Sequence, residues 1–185
     1  MFKFGNVTLI KLDKSYLSNL LALKSESWET THQITVANMD DQIRWFESLD
    51  KNVHTPKNLI LIACGPVDEL ASVAFGVYKI TDIDWASRTA NVAWDIFKHH
   101  RGKGLGKPLV STGAAFCFQV FNLHRLNCEI LETNIASQKC ADAAGFKKEG
   151  VKRESVLKKG FYLDSWLYGV LSKDFALQQT KNQVN

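Results

Sequence analysis

Apolar residues recur along this chain with two different periods, and the places where the period changes mark its elements. Residues 7–12, Val-Thr-Leu-Ile-Lys-Leu, are rich in strand formers and predict a first strand; Asp13 opens a polar break before a helix over 16–25. A second helix is expected where Asp40 or Asp41 supplies a cap and Ile43, Trp45, Phe46 and Leu49 face inward. The link between these helices, residues 27–39, is polar with Trp28 and Ile34 embedded in it, and suits a loop that covers a substrate. Strand-forming runs over 58–64 and 70–80 flank the turn residues Gly65, Pro66, Val67, Asp68 and Glu69, and predict a hairpin. A strand over 89–97 leads into a glycine-rich loop, after which Leu105, Leu109, Phe116 and Val120 recur at helical spacing.

A strand over 126–134, a helix from Ile135 that stops at Gly145, and two strands divided by Lys158, Lys159 and Gly160 follow. Beyond Ser172 no core-forming pattern remains, so 173–185 reads as a polar tail that frays. Strands before, between and after the helices give an α/β (mixed α+β) fold: a single central mixed sheet of about seven strands with helices on both faces. Residues 1–172 are expected to form one domain.

Composition narrows the classes. The chain has 185 residues, 45% hydrophobic and 23% charged, ordinary values for a globular domain large enough to need no staples. Its net charge of +4 is mild and its lysines are scattered, which argues against nucleic acid as a partner. Cys64, Cys117, Cys128 and Cys140 have no Cys-x-x-Cys spacing, so they read as buried free thiols, not as metal ligands or disulfides, and point to a reducing, cytoplasmic setting. No apolar run is long enough to span a membrane.

The chemistry concentrates in Arg101-Gly102-Lys103-Gly104-Leu105-Gly106-Lys107. Alternating glycines let the backbone pass close to a ligand, and the N–H groups at a helix start form a cradle for phosphate. Pro108 suits a first helical turn, where no N–H partner is needed. A Walker loop would need a glycine where Arg101 stands and Ser or Thr where Pro108 stands. The dinucleotide fingerprint, started at Gly102 or Gly104, would need its last glycine at Lys107 or Leu109.

What the loop does fit is Arg-x-x-Gly-x-Gly, at Arg101, Gly104 and Gly106, and here the chain resembles the GNAT acyltransferase superfamily. Later segments agree in order: a strand ending at Asn134, a helix carrying Ser137, then Gly145-Phe146. Residues 149–164 resemble the Rim-type branch of ribosomal-protein and small-amine acetyltransferases, and 78–84 with 123–134 resemble the amino-sugar acetyltransferases of pseudaminic acid synthesis. The resemblance covers about residues 5 to 172. It implies acetyl-CoA as cosubstrate, with no metal. It implies that Ile96, Phe97 and Lys98 hold the pantetheine arm by their backbone, that Arg101, Gly102, Lys103, Gly104, Leu105, Gly106 and Lys107 hold the pyrophosphate, and that Asn134 and Ser137 line the arm.

The proton-handling residues depart from the family pattern. Asn91 stands where many relatives carry a glutamate base, and Ala141 where many carry a tyrosine acid. The resemblance then leaves Glu154 as the base acting through water and Ser137 as the donor to the leaving thiolate, with Asp95, Glu129 and Asp84 as weaker candidates. His99 and His100 read as phosphate or solvent neighbours, and Cys140, with no adjacent histidine, as packing. For the acceptor, Trp28, His32, Gln33, Asp82, Asp84, Trp85, Phe161 and Tyr162 are expected to converge on one side of the thioester, a groove suited to a cationic amine. The reading is an N-acetyltransferase for a primary amine, on a protein N-terminus or a small molecule, working as a monomer or homodimer. A nucleotide-linked amino sugar as acceptor and a CoA-binding module without catalysis are the alternatives.

Overall fold

Period-two alternation sorts the strand side chains onto two faces, and each face meets its own pair of helices. In the computed structural model, which describes residues 1–26, 38–49, 52, 54–68 and 71–183, Leu61 and Tyr78 face one way while their neighbours Ile62 and Val77 face the other. The strands are β1 (Phe2–Phe4), β2 (Val7–Lys11), β3 (Leu59–Asp68), β4 (Ala71–Asp84), β5 (Thr89–Ile96), β6 (Arg125–Leu131), β7 (Lys147–Lys158) and β8 (Phe161–Leu171). They form one sheet in the order β1-β2-β3-β4-β5-β6-β8-β7, antiparallel throughout except where β5 meets β6. The eighth strand, beyond the expected seven, is the three-residue β1, too short to show a period.

One face carries α1 (Leu17–Glu26) and α2 (Met39–Glu47), with Leu20 and Leu23 packed on Ile60, Ile62, Val77 and Phe97. The other carries α3 (Gly106–Gln119) and α4 (Ile135–Ala143), where Leu109, Val110, Ala114 and Cys117 meet Tyr78, Ile80, Ala90 and Val92. Gly113 lets α3 lie directly on the Tyr78 ring, which a Cβ there would strike.

Four local expectations change. The cap of α2 is Asn38, whose Oδ1 accepts from Asp41 N at 2.9 Å while Asp41 Oδ2 accepts from Asn38 N at 3.1 Å; Asp41 is the reciprocal partner in a capping box. The fully buried residue of α2 is the polar Gln42. Gly65 and Pro66 lie inside the β3–β4 ladder, which continues to Asp68 opposite Ala71; Glu69 lies outside the described residues. Finally, the tail does not fray from Ser172: α5 (Ser172–Gln183) follows β8 directly, burying Phe175 with its ring 5.3 Å from Phe118, and Asp174 pairs with Lys147 at 3.1 Å. Among its described side chains Phe175 is the buried anchor, which no periodic pattern reveals.

Candidate functional site

The sheet opens where β5 and β6, the one parallel pair among the described residues, come apart. β5 and β6 are bonded over three positions, Thr89–Arg125, Ala90–Leu126 and Asn91–Asn127, yet β5 runs on to Ile96 and β6 to Leu131. Residues 92–96 and 128–131 therefore face each other across a cleft with no ladder between them. Phe97 N donates to Phe75 O on the β4 side at 2.9 Å, which sets the phase of the strand. Backbone groups of Ala93 and Asp95 then point to β4, and those of Val92, Trp94 and Ile96 point into the cleft.

Of the three backbone positions expected to hold an arm, Ile96 alone is on that edge by this phase, and its carbonyl accepts from Arg101 Nε at 3.0 Å. Phe97 gives its N–H to the sheet and its side chain to the α1 core, while Lys98 begins a short 3-10 turn, Lys98–His100. Trp94 was missed by sequence reasoning. It follows from Ile96 by the strand period of two, and its indole, packed 6.0 Å from the Phe146 ring, keeps a buried Nε1 without a partner among the described residues.

At the end of this cleft the glycine loop hands over to α3. Gly102 and Gly104 have φ of +75° and +73°, a region costly for any side-chain-bearing residue. Gly106 is needed for a different reason: a Cβ on it would run into Cys140 Sγ of α4. Leu105 caps α3 without a side-chain hydrogen bond, and no acidic residue stands in the first turn. The helix start thus offers uncapped N–H donors and its positive dipole end, with Lys103 and Lys107 exposed beside it. His100 lies at the same loop with a buried, unpartnered Nδ1; burial, then Lys103 and His99, hold its pKa below the usual histidine value.

Across the cleft, Asn134 caps α4 by accepting from Ser137 N at 3.1 Å. Ser137 is thus the third residue of the helix, half-buried, and not its cap. Gln138 Nε2 bridges the carbonyls of Leu131 and Glu132, tying α4 to the end of β6.

On the α1–α2 face, the floor beside the cleft is polar. Asp95 meets Lys79 at 3.6 Å, with 18% and 28% of their side chains exposed, and burial raises the Asp95 pKa against the opposing charges of Lys79 and Arg101. Glu129 meets Lys152 at 3.5 Å. Asn91 donates to Asp82 Oδ2 at 3.2 Å. A cavity of about 240 Å3 opens on this side between Ser18, Asn19, Ala22 and Glu26 of α1 and residues 97–99.

Other expected acceptor residues do not converge there. Asp84 holds the β4–β5 turn, accepting from Ala86 N and Ser87 N at 2.9 and 3.0 Å, and its bonds from Ser87 hold its pKa down. Trp85 donates to Pro56 O at 3.1 Å and packs against Phe121. Both sit at the start of β5, about 23 Å from its cleft end by strand rise. Glu154 is exposed at a bulge of β7, with φ of +50°, its N–H bonded to Asp164 Oδ1 at 2.8 Å. Two strand spacings, about 10 Å, separate β7 from β6. Tyr162 and Phe161 follow the tight Lys159-Gly160 turn, 64% and 73% exposed. Trp28, His32 and Gln33 lie outside the described residues.

Residues 6–147 match the model of the acetyltransferase (GNAT) domain. The chain belongs to the GNAT acetyltransferase family. Among curated relatives, "Probable N-acetyltransferase YjcK" of Bacillus subtilis strain 168 is 30% identical over 112 residues, 54% of this chain and 62% of that protein. The spermidine N(1)-acetyltransferase of Vibrio cholerae is 24% identical over 98 residues, 53% of this chain and 57% of that protein. The chain thus spans about three fifths of the length of these curated relatives. A crystal structure of spermidine N-acetyltransferase from Vibrio cholerae in complex with CoA and spermine superposes with a TM-score of 0.81 at 18% identity, covering 92% of this chain and 98% of that one. That likeness shows the GNAT fold. The finer likeness to the Rim-type and amino-sugar branches is not among what these matches show. Among the described residues, no helix is long and apolar enough to cross a membrane.

Proposed function

We propose that this chain is an N-acetyltransferase that transfers the acetyl group of acetyl-CoA to a primary amine by direct attack within a ternary complex. The observation that carries the reading is the β5–β6 cleft running into the uncapped, glycine-fronted start of α3. When bound, acetyl-CoA supplies the activated acyl group and a good leaving thiolate. The residues present suit it: unsatisfied N–H donors and the cations of Arg101, Lys103 and Lys107 match a pyrophosphate, and an unladdered strand edge matches the amides of an extended arm.

In this reading Trp94 and Ile96 hold the arm from one wall, Asn134 and Ser137 from the other, and an edge N–H polarises the carbonyl under attack. Ser137 donates a proton toward the leaving sulfur. Glu154, on β7 two strands from the cleft, takes the proton of the amine only through a chain of waters. Positioning carries much of the rate, which accommodates Asn91 and Ala141 where relatives hold titratable groups. The spermidine acetyltransferases among the relatives support a small-molecule amine as acceptor.

The test is turnover of acetyl-CoA against N-terminal peptides, polyamines, simple amines and nucleotide amino sugars, with products identified by mass. Acetylation of an amine supports the reading. Acetylation of hydroxyls in preference to every amine overturns it, and binding of acetyl-CoA without turnover returns the chain to a CoA-binding module.

A further inference from the structure

Gln42 of α2 is fully buried, yet only one arm of its amide is satisfied. Its Oε1 accepts from Lys24 Nζ of α1 at 2.8 Å. An ammonium has only protons to give, so this bond fixes which end of the amide faces the lysine. The orphan is therefore Nε2, a donor with no acceptor among the described residues. Lys24 itself is half-buried, lies 4.8 Å above the Trp45 ring, and has no carboxylate partner among the described residues. Burial first, and then the like charge of Lys79, holds its pKa below the ordinary lysine value.

Lys79 stands opposite Ala93, at the level where β5 has just parted from β6, so this cluster overlooks the α1–α2 mouth of the cleft. On that floor Asp95 is paired with Lys79 and Glu129 with Lys152. Lys24, by contrast, has no carboxylate partner among the described residues. The surplus is one half-buried cation and one buried amide donor, side by side and held in place from α2. An acceptor bearing only positive charge meets repulsion here, and it leaves the orphan donor orphaned. A carboxylate or phosphate answers both groups at once.

We infer that the acceptor amine of this enzyme also carries an anionic group, a carboxylate or a phosphate, received by Lys24 Nζ and Gln42 Nε2. The inference rests on the transferase reading above and narrows its acceptor. It separates this chain from enzymes whose acceptor is a polycation. The anionic end docks under α1 and α2 while the amine lies toward the cleft, so Lys24 and Gln42 select the substrate without touching the reacting atoms.

The experiment measures acetylation of matched amines by the full chain with acetyl-CoA: propylamine against β-alanine, ethanolamine against phosphoethanolamine, and spermidine as the polycation. The anionic member of a pair should exceed its neutral partner in kcat/KM by about tenfold or more, and which pair shows it tells carboxylate from phosphate. Lys24→Gln should erase that advantage through KM, and Lys24→Arg should keep most of it. On the unmodified chain, inorganic phosphate or acetate should inhibit competitively against the amine, less so at high salt. Preference for spermidine or for the neutral amines overturns the inference alone, as does an advantage that survives Lys24→Gln. Acetyl-CoA binding with no amine acetylated overturns the transferase reading, and this inference with it.

Discussion

Cys140 Sγ packs against the backbone of Gly106, so that α4 leans directly on the first turn of α3. The three loop glycines therefore serve two purposes, conformational at Gly102 and Gly104 and steric at Gly106. Gly106→Ala should destabilise the fold by about 1–3 kcal/mol, the usual result of forcing a methyl into a packed contact. Cys140→Ala removes the obstructing sulfur, so the double variant should lose less than the sum of the single losses. Denaturant unfolding of the four proteins in that cycle reads the coupling, and strict additivity would contradict the contact.

Gly104 has open space around a would-be Cβ but a φ of +73°, so substitution strains the loop and leaves the core untouched. Gly104→Arg should unfold in the same cooperative way as the parent, at a cost of about 1 kcal/mol. It should lose the stabilisation that acetyl-CoA gives, which at a hundred times the dissociation constant is about 2.7 kcal/mol. A thermal shift that survives this substitution places the pyrophosphate elsewhere.

Asn134 is at once the cap of α4 and the residue proposed to meet the pantetheine arm. Asn134→Ala should cost about 1 kcal/mol of stability through the lost cap. If the amide also binds the arm, CoA affinity falls by about 1 kcal/mol as well. Asn134→Ser separates the two, because serine caps a helix comparably but is too short to replace the amide. Calorimetry on both variants decides it: weakened CoA binding in the serine variant supports a direct contact, and restored binding reduces Asn134 to a cap.

What was legible in the sequence was local. The strand, glycine loop and helix around residues 89–120 follow from period changes within one stretch, and the Arg101, Gly104 and Gly106 spacing identified the family from the same stretch. What was not legible depends on which end of a strand meets which partner. Asp84 and Trp85 are polar and aromatic residues near β5, but antiparallel entry from β4 puts them at the end opposite the cleft. The Lys24–Gln42 pair joins two helices separated by residues 27–38, and its significance lies in Gln42 occupying a position that helical periodicity assigns to an apolar residue. Trp94 was readable in principle, by counting back two from Ile96, once the edge facing β6 is known.

Asp95 gives the pH dependence its sign. Burial raises its folded-state pKa above the ordinary 3.8, outweighing Lys79 and Arg101. A group raised on folding contributes stability that is present below its unfolded value and is lost as pH rises through the folded value. The stability of the parent relative to Asp95→Asn should therefore fall as pH climbs from about 3.8 through the raised value, then level off. Urea unfolding of both proteins across that window measures it. A parent that gains on the variant with rising pH would show that Lys79 and Arg101 dominate.

Asp84 tests the geometry of the acceptor side. Its carboxylate is spent on Ala86 and Ser87 in the β4–β5 turn, and the neighbouring Trp85 is tied to Pro56 and Phe121. Charge at that turn lies about 10 Å from the near edge of the cleft at Val92 and about 23 Å from its far end at Ile96, beyond the screening length of about 8 Å at physiological salt. Asp84→Ala should therefore lower the melting temperature, by loosening the turn, while leaving both kcat and KM for the amine unchanged. Trp85→Phe should behave alike, since phenylalanine keeps the ring contact with Phe121 and loses only the bond to Pro56. Steady-state kinetics beside thermal unfolding reads the two effects separately. A raised KM for the acceptor with unaltered stability would bring Asp84 back into the amine groove, and would extend that groove from Val92 back to the β4–β5 turn.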